Sequence, residues 1–122
     1  MDIEELKRRY AAGERDFSTV NLSRAKLIGL DLVGINLCAA NLVGANLAKA
    51  KMWGANLSGA NLAKANLTRA NLSGADLKDA NLRGAKLRYT KLYGATLDRA
   101  CYDSTTKFTQ GFNPESNNMH RF

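Results

Sequence analysis

Residues 40–87 read ANLVGANLAKAKMWGANLSGANLAKANLTRANLSGADLKDANLRGAKL; a Leu, once Met52, falls at every fifth position, with Ala two places before it. The period runs on in both directions. Its centres are Phe17, Leu22, Leu27, Leu32, Leu37, Leu42, Leu47, Met52, Leu57, Leu62, Leu67, Leu72, Leu77, Leu82, Leu87, Leu92, Leu97 and Tyr102. In an α-helix a step of five rotates each centre by about 140° and scatters the leucines around the axis. In a flat strand an odd step puts successive leucines on opposite faces. A leucine-rich repeat needs a longer period, roughly 20 to 29 residues. What remains is a chain that corners every five residues. Each side then turns its centre and its small residue inward and the other three outward.

The corners carry a signal of their own. Gly stands two after the centre at Gly29, Gly34, Gly44, Gly54, Gly59, Gly74, Gly84 and Gly94. That is the place in a four-residue turn where positive φ is needed. Lys49, Lys64, Arg69, Asp79 and Arg99 occupy the same place in other units. Those corners are expected to use another turn type or to carry modest strain.

This pattern resembles the pentapeptide-repeat family, whose consensus is A-(D/N)-L-x-x. The resemblance covers residues 15–104; fifteen of the eighteen centres are Leu, and Asn or Asp precedes twelve of them. It implies an all-β solenoid, the right-handed quadrilateral β-helix of that family, with four five-residue sides per coil. The flanks RRYAAGERDFS and TKFTQGFNPE also resemble those of small family members from photosynthetic bacteria. Eighteen units make about four to five coils, a stub roughly 20 to 25 Å long at strand spacing. Three segments are expected: an N-terminal capping helix over 1–14, the β-helix over 15–104, and a C-terminal capping segment with a frayed tail over 105–122. Asn21, Asn41, Asn61 and Asn81 stand twenty apart, which predicts amide ladders along the axis.

Residues 2–12, DIEELKRRYAA, read as a short amphipathic helix with Ile3, Leu6 and Tyr10 on one face. A solenoid's open end exposes apolar side chains and strand edges, which a cap must cover. Arg15, Val20, Leu30 and Ile35 stand where Ala is expected and are read as filling space beneath that cap. At the other end Phe108 and Phe112 are expected to cover the last coil, followed by a helical turn at Asn113-Pro114-Glu115.

Charge bounds the function. The chain carries +7; residues 17–102 hold twelve basic and four acidic groups, so the coils alone carry +8. No metal-ligand cluster or phosphate-cradling loop is legible, and Asp76, Asp79 and Asp98 fall on convex sides. The chain is therefore read as no enzyme, with no cofactor, no metal and no small-molecule substrate. No stretch reads as a membrane span or signal peptide. Cys38 and Cys101, placed outward and more than three coils apart, are expected to be free thiols in a reducing cytoplasm.

One face stands out. Lys51, Trp53, Lys91 and Tyr93 fall on one side, with Arg88 and Tyr89 on the side before it. Exposed aromatics among basic groups suit a partner surface. The expected function is a non-catalytic scaffold that binds an unidentified protein partner. The alternative is weak, non-specific nucleic-acid or polyanion binding through the basic coils. The family's best understood members mimic DNA and bind type II topoisomerases, which requires acidic columns. With basic coils, this chain is not expected to be a gyrase-inhibiting DNA mimic.

Overall fold

The computed structural model describes all 122 residues. Parallel bridges join residues twenty apart from Asp16↔Asn36 and Asn21↔Asn41 through to Asn81↔Cys101. Twenty residues are four units of five, so each turn has four sides and every centre stacks on the centre one turn away. The period of five and the bridge register thus state the same geometry. Little of it is regular strand: only β1 (Cys101–Tyr102) and β2 (His120–Arg121) extend beyond single bridges. Each side corners again before a ladder can lengthen.

The inward residues form one cluster of 29 buried side chains, Leu and Ala in alternation from Leu37 to Leu87 with Met52 in place of one Leu. Transfer of apolar surface from water at about 25 cal/mol per Å² makes this column the main stabilising term. The backbone closes the rest. In a typical unit the Leu62 amide donates to the Asn81 carbonyl, the Lys64 amide to the Arg83 carbonyl, and the Asn81 amide back to the Ala60 carbonyl.

Every corner from Thr19 to Arg99 uses one left-handed conformation. The glycines have φ between 66° and 71° from Gly29 to Gly94, and Lys49, Lys64, Arg69, Asp79 and Arg99 have φ of 61° to 62°. Of the two expectations for the non-glycine corners, strain is the one the structure shows. The Asn columns also differ from expectation. Each Asn Oδ1 accepts from the amide two residues on within its own unit, as Asn41 does from Val43 and Asn61 from Ala63. Only Asn81 Nδ2 to Asn61 Oδ1, at 3.2 Å, makes an amide-to-amide link along the axis. An Asx turn within the unit satisfies the corner amide, and that local bond outcompetes a ladder.

At the N-terminal end lies α1 (Ile3–Ala11), with the Asp2 side chain accepting from the Glu4 amide. Leu6 is fully buried, and Ile3 and Tyr10 pack against the same core. The Tyr10 hydroxyl donates to the Val33 carbonyl at 2.7 Å, and the Met1 amine donates to the Asn21 carbonyl at 2.6 Å. Both carbonyls belong to the first coil, which has no preceding coil to donate to them. Ile35 is buried as expected, but Arg15 is exposed. Its guanidinium lies 3.7 Å from the Tyr10 ring centroid and donates to the Tyr10 carbonyl. A charged group finds the ring face and a carbonyl there without losing water.

At the other end the register slips. Lys86 bridges Lys107, and Cys101 pairs with His120. From 86 to 101 the chain takes fifteen steps; from 107 to 120 it takes thirteen. The segment between cuts across the end of the coil. Phe108 and Phe112 stack there with centroids 4.9 Å apart, and Phe108 meets Tyr102 edge-on at 5.5 Å. The helical turn forms at Glu115–Asn117, with Asn113 Oδ1 accepting from the Glu115 amide.

The expectation of a frayed tail is corrected. His120–Arg121 pairs in parallel with Cys101–Tyr102, and the Phe122 amide donates to the Tyr102 carbonyl at 2.8 Å. The rung at 101–102 would otherwise expose an unpaired edge, and the tail closes it. Asn118, at φ 57°, serves as the corner residue, and Met119 packs against the core where Ala is usual.

Candidate partner surface

Lys51, Asn71 and Lys91 occupy one column of bridges. That register places Trp53 and Tyr93 on the same outer side, two rungs or roughly 10 Å apart. Trp53 is 45%, Tyr89 65% and Tyr93 78% exposed, large values for aromatic side chains. The corner between the Leu87 and Leu92 sides carries Arg88, Tyr89, Lys91 and Tyr93. These four border two open grooves between the last coil and the segment that cuts across it. The first, about 300 Å³, includes Arg88, Tyr89, Lys107 and Phe108. The second, about 580 Å³, includes Tyr89, Lys91, Leu92, Tyr93 and Phe112. Lys51 and Trp53 line neither groove. The six residues singled out from the sequence thus divide into four around the grooves and two farther along the same side.

Summing charge over all the coils hides its distribution. Lys26, Lys49, Arg69, Lys86, Arg88 and Lys107 all fall on the side centred on Leu27, Leu47, Leu67 and Leu87, which holds no Asp or Glu. The Arg69 guanidinium lies 4.7 Å from the Tyr89 ring centroid. The carboxylates Asp16, Asp76, Asp79 and Asp98 gather instead on the side centred on Phe17, Leu37, Leu57, Leu77 and Leu97. Reading the sequence in steps of twenty would have exposed this segregation.

The carboxylates are structural in their bonding. Arg99 donates to both oxygens of Asp79, at 2.9 and 3.2 Å, and holds that carboxyl below the usual range. Asp16 is held low by the Ser18 hydroxyl and amide, and Asp103 by the Thr105 hydroxyl. Asp76 accepts from the Lys78 amide. None of Asp76, Asp79 and Asp98 borders a groove, and no three His, Cys, Asp or Glu side chains converge. Cys38 and Cys101 are free, the Cys38 sulfur lying 3.4 Å from the Ser58 hydroxyl. No helix is long and apolar enough to cross a membrane.

Comparison with known proteins agrees with this geometry. The family model described as pentapeptide repeats matches in eight copies, over residues 21–52, 40–79 and 65–101. No curated protein matches. Among solved structures, a pentapeptide repeat protein from Nostoc Pcc 7120 is 36% identical, covering 98% of this chain and 95% of that one, with a TM-score of 0.51. The pentapeptide repeat protein Rfr23 from the cyanobacterium Cyanothece 51142 is 44% identical over 75% of this chain, with a TM-score of 0.74. The chain spans 62% of the length of Rfr23. HetL, a Nostoc pentapeptide repeat protein involved in heterocyst differentiation regulation, is 32% identical over 89% of this chain and 57% of its own, with a TM-score of 0.50. The bridges, the buried Leu column and these matches together make the chain a member of the pentapeptide repeat family, folded as a right-handed β-helix.

Proposed function

We propose that this protein is a non-catalytic interaction scaffold of the cell interior, in which a short four-sided rod covered at one end by α1 and at the other by residues 105–122 presents a docking surface to another macromolecule. The observation that carries this reading is the exposed aromatic pair Tyr89 and Tyr93, set beside Arg88 and Lys91 at the rim of two open grooves. Aromatic and Arg side chains held on a rigid frame are the usual anchors of protein interfaces. The core is filled by Leu and Ala, so the outer surface is what remains to act. HetL's regulatory involvement is that of a relative with the same repeat. A pull-down from the source cell, at low and high salt, with and without nuclease, tests the reading. Retention at high salt after nuclease, lost on Tyr89→Ala with Tyr93→Ala, is the expected result.

The second reading is polyanion binding, favoured by the side that holds six cations and no carboxylate. Capture that disappears with nuclease or salt favours it, because phosphate binding weakens steeply as salt rises.

A further inference from the structure

Within the coils, backbone groups that face the next coil are bonded to it. The Leu72 amide donates to the Lys91 carbonyl, the Gly74 amide to the Tyr93 carbonyl, and the Leu77 amide to the Thr96 carbonyl. In return the Lys91 amide donates to the Ala70 carbonyl and the Thr96 amide to the Ala75 carbonyl. One coil later this pattern has no counterpart. The amides of Leu92, Gly94 and Leu97 donate to nothing in the protein, and the carbonyls of Thr90 and Ala95 accept nothing. The segment that should have formed the next rung takes the thirteen-step path instead. The core records the gap: Leu32, Met52 and Leu72 are buried, but Leu92, next in the column, is only partly buried. The second groove, about 580 Å³, lies along this edge, between Tyr89–Tyr93 and Thr109–Phe112.

We infer that this edge is a docking site for an extended acidic peptide, which adds one more rung to the β-helix. Backbone pairing supplies the recognition, as in other strand additions to exposed sheet edges. The incoming chain runs parallel to residues 90–97. Its carbonyls accept from Leu92, Gly94 and Leu97, and its amides donate to Thr90 and Ala95. An apolar residue placed above Leu92 completes that column, flanked by Tyr93 and Phe112. The residue opposite Lys91 is acidic, because Lys91 is the one charged group lining the groove, and Arg88 and Lys107 border the adjoining one. Opposite charges on facing rungs favour the pairing. The inference rests on the scaffold reading and names its site and its ligand.

The test uses a synthetic capped peptide, Ala-Asp-Leu-Ser-Gly-Ala-Asp-Leu, which is residues 70–77 of this chain with Asn71→Asp. It is titrated into the isotope-labelled full chain while amide shifts and hydrogen exchange are followed. The expected result is selective shift and protection of the Leu92, Gly94 and Leu97 amides. Lys91→Glu should weaken this peptide by about threefold and favour a version with Lys in place of both Asp. Unchanged edge amides at millimolar peptide would overturn the inference. So would shifts confined to Arg69 and Arg88, or edge protection that grows with protein concentration alone, which would mean a second copy fills the site. A pull-down partner that leaves these amides unchanged would sink this inference and leave the scaffold reading intact.

Discussion

Asp103 Oδ1 lies 3.3 Å from the Gly84 amide, in the place where earlier corner amides meet a backbone carbonyl one coil on. The side chain substitutes for a rung that has slipped by one residue. It also accepts from the Thr105 amide at 2.9 Å and the Thr105 hydroxyl at 2.6 Å. Thr106, beside it, donates its hydroxyl to the Leu82 carbonyl. Asp103→Ala should therefore leave the Gly84 amide with only its 3.3 Å contact to the Thr106 hydroxyl oxygen and loosen the crossing segment. Thermal melts should show a lower Tm by a few degrees, and hydrogen exchange should speed up at Gly84 first. Unchanged exchange at Gly84 would show that water or Thr106 replaces the carboxylate fully.

Stability should form a plateau in pH, and its two limbs have separate causes. The carboxyls of Asp16, Asp79 and Asp103 sit below their ordinary range in the fold. Such groups stabilise the fold above the unfolded value, near 3.9, and that contribution is lost as pH falls through their folded values. Tyr10 has the opposite sign. Burial pushes its hydroxyl up, and the charge of Asp31 adds to the rise. Its contribution is present below about pH 10, the unfolded value, and is lost as pH rises through the higher folded one. Chemical denaturation across pH should show both limbs. Tyr10→Phe should remove the alkaline limb and cost about 1 kcal/mol at neutral pH, since the Val33 carbonyl loses its donor.

The corner at Lys49 is a natural place to add stability. Its φ is 62°, and its amide donates to the Thr68 carbonyl, a bond that glycine keeps. A left-handed conformation costs an ordinary residue about 1–2 kcal/mol, against which glycine's extra freedom in the unfolded chain must be set. Lys49→Gly should stabilise by about 0.5–1 kcal/mol. Gly84→Ala should do the reverse, because a Cβ there meets Lys64 Cγ at 3.2 Å as well as the strain of φ 71°. Denaturant titrations with equal m-values decide both.

The path of the chain was legible because one period fixes the inward positions, the corners and the register together. Leu57, Leu77 and Leu97 had to stack once the step of five and the turn of four sides were accepted. What escaped was local competition. The Asn side chains bond within their own corners, a choice that column spacing does not reveal. The strand at His120–Arg121 escaped because its unit lacks a Leu centre; Asn118 and Met119 were its corner and inward residue. Tyr89, Tyr93 and their basic neighbours were readable as an outward cluster. The grooves beside them were not, since they depend on a tail that takes thirteen steps where the three sides beneath it take fifteen.

The buried column leaves little room for substitution. Leu62 is fully buried, between Leu42 and Leu82 by register. Leu62→Ala should cost about 2–5 kcal/mol, the range for a large-to-small change in a packed core. Leu62→Lys places a charge where neither water nor a partner can reach it and should leave the chain unfolded. Circular dichroism of the two variants separates these outcomes. A folded Leu62→Lys variant would mean that the coils can open locally to solvent.

The charge distribution sets both the sign and the salt dependence of any nucleic-acid binding. A DNA mimic that inhibits gyrase offers negative charge to a DNA-binding saddle, whereas residues 17–102 carry twelve basic and four acidic groups. The side from Lys26 to Lys107 offers six cations and no carboxylate. A supercoiling assay should therefore show no dose-dependent inhibition by the protein itself. Labelled single-stranded DNA should bind at low salt without sequence preference, followed by anisotropy and by Trp53 fluorescence. Each phosphate contact on a single strand contributes about −0.7 to the slope of log K against log salt. Six contacts set an upper bound of about −4 on that slope. Arg69→Glu with Arg88→Glu removes two of them and should flatten the slope by about 1.4. A slope that ignores those two residues would place any phosphate contact off this side. Inhibition of supercoiling without DNA binding would overturn the argument from sign altogether.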